Sequence, residues 1–159
     1  MIHYKCKHFK LHEFVSQDVK TIYGLNAWQF LDPRLLYTAD RIREHFGAPM
    51  TINNWHWKLK KSKSEEESQA ILNSPGVFDQ RGLRSPWCRE GAILSQHRFG
   101  RALDFDIRGF SAEQVRQEIL KEQNCEKFRY ISVMEDCTNW VHVDIRQMTG
   151  DQIYLLPKK

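Results

Sequence analysis

Two short segments of period-two alternation constrain this chain more than any other feature. Ala102-Leu103-Asp104-Phe105-Asp106-Ile107 and Trp140-Val141-His142-Val143-Asp144-Ile145 both read as strands, and both carry ionisable side chains among apolar ones. Strand parity places Ala102, Asp104 and Asp106 on one face and Leu103, Phe105 and Ile107 on the other. Trp140, His142 and Asp144 share a face in the same way. An unpaired charge is expensive to bury, so a carboxylate in such a strand must face solvent or a compensating charge. Two sheet faces thus each carry imidazole or carboxylate groups.

The remaining segments predict helices around that sheet. Asp32 reads as an N-cap with Pro33 at the first helical position, and Leu35, Ala39, Ile42 and Phe46 follow at helical spacing until Gly47 and Pro49 stop the helix. Met50–Asn53 reads as a short strand. Ser111 and Gln114 form a capping-box pattern ahead of Val115, Ile119 and Leu120. Phe9–Phe14 reads as an arm packed onto the domain, and Tyr130–Met134 as a strand joined to the His142 strand by a tight turn. The polar run 58–68 reads as a solvated loop or helix face, with a lid over a cleft as the alternative. Residues 76–90 read as an irregular loop. With no internal repeat or linker, the expectation is one α+β domain over residues 1–159, a small antiparallel sheet packed with helices.

Composition excludes several classes. Nine Phe, five Tyr and five Trp in 159 residues argue against wholesale disorder. No window approaches the roughly 20 apolar residues of a membrane span. The net charge of +4 is too small to argue for nucleic acid as a partner. Cys6, Cys88, Cys125 and Cys137 form no CxxC knuckle, so they read as mostly reduced packing residues, with a disulfide left open. The start, Met-Ile-His-Tyr-Lys-Cys-Lys-His, lacks the apolar core of a secretory signal, and the expectation is cytoplasmic synthesis.

Two imidazoles and one carboxylate are the ligand set of many catalytic zinc sites. His97, Asp104 and His142 can supply it, although each also has an ordinary structural reading, as a core histidine or an aspartate paired with Arg98, Arg101 or Arg108. Ser95-Gln96-His97-Arg98-Phe99-Gly100-Arg101-Ala102-Leu103-Asp104 matches the pattern SxHxxGxAxD, and Trp140-Val141-His142 supplies an aromatic-x-His strand 45 residues beyond His97. These segments resemble the zinc D-alanyl-D-alanine peptidase family of carboxypeptidases, dipeptidases and phage endolysins, whose fold is shared by the hedgehog signalling domain. Arg81-Gly82-Leu83-Arg84-Ser85 is similar to the family's SGxRS segment, with Arg81 where Ser is usual.

The resemblance implies that His97, Asp104 and His142 bind zinc, that Ser95 orients a ligand, and that Arg84 binds a substrate carboxylate or the reaction's oxyanion. It implies hydrolysis of peptide bonds in bacterial peptidoglycan by a monomer, and a phage product brought to the wall by a holin or a virion. Several family members carry an acid three residues before the last His, where this chain has Asn139. The nearby acids are Glu135 and Asp136. A three-residue loop Cys137-Thr138-Asn139 would pair Asp136 with Trp140 and Met134 with His142, which selects Asp136 as general base; a two-residue loop would select Glu135. Hedgehog-like members carry an acid six residues before the final His, again Asp136. Two other readings remain open: a zinc-binding structural or wall-binding module without catalysis, and an iron oxygenase using His142 and Asp144.

Overall fold

The computed structural model describes residues 4–56, 78–147 and 152–157; the charged run 58–68 lies outside them. Helices α1 (Leu11–Phe14), α2 (Gln17–Tyr23) and α3 (Pro33–Phe46) come first, with a 3-10 turn over Gly24–Phe30 between the last two. Strand β1 (Met50–Thr51) follows, then a 3-10 turn at Gln96–Phe99, strand β2 (Ala102–Ile107) and helix α4 (Ala112–Lys121). Strands β3 (Val133–Glu135), β4 (Val141–Asp144) and β5 (Tyr154–Leu156) complete a five-stranded sheet in the order β1-β2-β4-β3-β5.

The α+β expectation holds, with one correction to the sheet. β1–β2, β2–β4 and β3–β4 pair antiparallel, but β5 runs parallel to β3, so the sheet is mixed. Local signals place the helices as expected. The Asp32 side chain accepts from the Arg34 N–H at 3.0 Å, and Gly47 closes α3 at φ 60°. The Ser111–Gln114 capping box is present in both directions. The arm ahead of α1 is pinned by Asp40 of α3, a fully buried carboxylate that accepts from the Tyr4 hydroxyl, the Cys6 thiol and the Lys7 and His8 amides. All four cysteines are free.

The apolar faces of β2 and β4 meet the helices. Leu103, Phe105, Val141 and Val143 join Leu35 and Ile42 of α3 and Val115 and Ile119 of α4 in one core. Each such large side chain contributes roughly 1.5–3 kcal/mol through burial. This packing fixes which way β2 and β4 face, and the ionisable residues are thereby committed to the opposite side.

Candidate metal centre

The β2–β4 register sets Asp104 directly across from His142, with Leu103 across from Val143 and Ala102 across from Asp144. Directly paired residues hold their Cβ atoms about 5 Å apart on one face. Here that brings Asp104 Oδ1 within 2.7 Å of His142 Nδ1. His97 arrives on the 3-10 turn before β2. Gly100 ends that turn at φ 64°, and a Cβ there would lie 1.9 Å from the Phe30 carbonyl oxygen, so only glycine fits. The turn delivers His97 Nε2 to 3.4 Å from Asp104 Oδ2, with the two imidazole centroids 5.2 Å apart.

The segment around Gly82 lines the edge of β2 beyond β1. The Asp104 N–H donates to the Arg81 carbonyl at 2.7 Å, and the Arg84 N–H donates to the His97 carbonyl at 3.1 Å. Gly82 is forced there by close approach, since a Cβ would meet the Phe14 carbonyl oxygen at 2.0 Å. Its own carbonyl accepts from His97 Nδ1 at 2.9 Å. A carbonyl can only accept, so Nδ1 carries a hydrogen, which leaves Nε2 as the nitrogen that faces Asp104. At His142 the outer nitrogen Nε2 faces the carboxylate of Asp144 at 3.4 Å, which leaves Nδ1 to face Asp104.

His97, Asp104 and His142 are all buried, and one ligand atom from each lies within 4.8 Å of the others. Among the described residues this is the one cluster able to hold a metal ion. Two lone pairs and a carboxylate pointed at a common centre repel unless a positive charge lies between them. The donor set therefore fits a divalent cation. Without a cation, a proton serves. Burial alone would lower the His142 pKa, but the hydrogen bonds to Asp104 and Asp144 raise it to about 9. Burial likewise opposes charge on Asp104, yet the hydrogen bonds from His142 and His97 hold its carboxyl well below the usual range.

Arg84 sits at the rim. Its Nη2 is 3.3 Å from Asp104 Oδ2 and its Nε donates to the Gln80 carbonyl at 2.6 Å. Ser95 contributes its carbonyl to the turn, accepting from the Arg98 amide, while its side chain does not cap it. Asp144 is not part of the cluster, because Arg146 claims its carboxylate. Two cavities of about 340 and 390 Å³ lie elsewhere, between β2 and α4 and around Arg34, Arg129 and Arg146, and none of the three ligands lines either.

The expectation for Asp136 is corrected. β3 pairs with β4 as Val133 with Asp144 and Met134 with Val143, so Met134 does not face His142. The connection spans residues 136–140, and Cys137 takes a positive φ of 57° within it. This register gives Glu135 the parity of Val133 and Asp144, the cluster's face, and turns Asp136 away. The Glu135 charge acts on both His142 and Arg146, whereas that of Asp136 acts on Glu113 of α4. The Asp136 carboxylate accepts from the next amide, that of Cys137.

No family model, curated protein or solved structure matches this chain. The functional reading therefore rests on the motif and the geometry.

Proposed function

We propose that the chain is a zinc metallopeptidase that hydrolyses peptide bonds in bacterial peptidoglycan. One observation carries the reading: the His and Asp of the SxHxxGxAxD pattern converge with the His of the aromatic-x-His strand on a single buried centre. His97, Asp104 and His142 would supply the two nitrogens and one carboxylate oxygen that many catalytic zinc sites use. A zinc ion held there supplies Lewis-acid polarisation of the scissile carbonyl and acidifies water to near neutrality. Gly82 and Asp144 keep the two imidazoles turned so that their lone pairs face the centre. Arg84 places a guanidinium beside Asp104, where it can pair with a substrate carboxylate or with negative charge developing on the carbonyl oxygen. Glu135, on the cluster's face, takes the role of proton acceptor and returns the proton to the leaving amine.

Purified chain should hold one zinc and release new amino groups from purified peptidoglycan. His97→Ala should lose both the stoichiometric zinc and the hydrolysis. Undiminished hydrolysis by that variant defeats the proposal. Asn139, exposed where relatives of the resembled family carry an acid, favours a second reading as a zinc-binding module without catalysis. That reading predicts stoichiometric zinc and no amine release.

A further inference from the structure

We propose that Arg146 and Asp144 form a positioning unit that locks the His142 ring with Nδ1 toward the metal centre, and so sets how tightly the centre holds its cation. The proposal rests on the cluster being a cation site, but not on what reaction follows. Asp144 is fully buried, and strand pairing fixes it opposite both Ala102 and Val133. Such a carboxylate needs a compensating charge. Arg146 provides it through its backbone amide at 3.2 Å to Oδ1, its Nε at 2.9 and 3.0 Å to the two oxygens, and its Nη2. Ser132 braces the turn that makes this possible, donating its amide to the Asp144 carbonyl at 2.9 Å and its hydroxyl to the Arg146 carbonyl.

With Arg146 holding it, the Asp144 carboxylate presents only acceptor atoms to His142 Nε2, 3.4 Å away. Once a cation replaces the proton shared with Asp104 at Nδ1, the ring's one hydrogen sits on Nε2, where Asp144 accepts it, and Nδ1 offers its lone pair to the centre. His97 is oriented by a neutral carbonyl, that of Gly82. His142 is oriented by a charged pair whose cationic member reaches the surface, at 34% side-chain exposure, beside the cavity of about 390 Å³. The Arg146 side chain makes its hydrogen bonds to Asp144 rather than to any of the three ligands, so it acts on His142 through that carboxylate. Partners that orient a metal-bound histidine typically account for 10- to 100-fold in metal affinity.

The test is zinc affinity by competition with a chromophoric chelator, well below the unfolding temperature, for wild type, Arg146→Gln, Arg146→Lys and Asp144→Asn, together with the imidazole 15N shifts of His142 in the zinc-bound chain. Arg146→Gln and Asp144→Asn should weaken zinc by about 10- to 100-fold and show a mixture of His142 tautomers. Arg146→Lys, which keeps the charge, should recover part of the affinity. A merely structural ion pair would lower the unfolding temperature and leave the tautomer and the affinity of the folded chain in place. Affinity within twofold of wild type in the folded Arg146→Gln chain, or an undisturbed Nε2–H tautomer, overturns the proposal. Should wild type bind no stoichiometric zinc, the metal-centre reading itself fails, a result distinct from equal binding by wild type and variants.

Discussion

Raising the pH of the metal-free protein tests the electrostatics of the centre most directly. His142 has its pKa raised to about 9, so at pH 7 the metal-free centre holds a proton between His142 and Asp104. A group whose folded pKa lies above its unfolded value contributes stability that is complete below the unfolded value, near 6.5, and is lost as the pH climbs through the folded one. The two and a half pKa units correspond to about 3 kcal/mol, which should drain from the metal-free fold between about pH 6.5 and 9. Asp104, depressed instead, gives the opposite limb: its contribution is present above the ordinary carboxylate range and is lost in acid. Zinc must displace the His142 proton. Its apparent affinity should therefore rise about 50-fold from pH 7 to pH 9, then level off. Calorimetric titration at pH 7 in two buffers of different ionisation enthalpy should report close to one proton released per zinc. Affinity that is flat across this range, with no proton release, would refute the assignment of His142 Nδ1 as both proton carrier and ligand.

Two substitutions probe other parts of the construction. Glu135→Gln should reduce peptidoglycan hydrolysis by about 10²- to 10⁴-fold while zinc stays bound, and Asp136→Asn should leave it within a few-fold; the reverse order in an amine-release assay would restore Asp136 as the base. Gly100→Ala forces a side chain into a left-handed turn and against the Phe30 carbonyl oxygen, so it should destabilise the fold by about 2 kcal/mol or more in urea unfolding. A loss under about 0.5 kcal/mol would mean the turn carrying His97 is not held as described.

The legible parts of this chain were those governed by short-range rules. Strand parity in Ala102–Ile107 separates core from cluster without any knowledge of the partner strand, because period two is a property of the backbone. The starts of α3 and α4 follow from caps lying within three residues of the first helical residue. The hairpin register was not legible. It depends on a five-residue connection with Cys137 at positive φ, and on β5 docking parallel to β3, where the Asp136 amide donates to the Leu156 carbonyl at 2.9 Å. No local residue pattern encodes that docking. The Gly82 carbonyl is not legible for a simpler reason: it is backbone, and a sequence names only side chains. Buried Arg116, donating to the Thr138 and Trp140 carbonyls, lies in the polar part of an amphipathic helix and reads as surface until the strand connection is seen to cover it.

These gaps bear unequally on function. The three cluster residues depend on a single register, β2 against β4, and a one-residue slip there would turn Val141 or Val143 toward the cluster and bury His142 among Leu103 and Phe105. The apolar face forbids that slip, since it would place an imidazole and a carboxylate in the core shared with α3 and α4. The choice of proton acceptor depends instead on β3 against β4, a pairing of fewer residues in which Glu135 and Asp136 are both half-exposed. The hydrophobic core thus enforces the His97–Asp104–His142 cluster directly, whereas the placement of the proposed proton acceptor is enforced by β5 and the 136–140 connection. Exchanging the 136–140 connection should consequently alter turnover and leave zinc affinity unchanged.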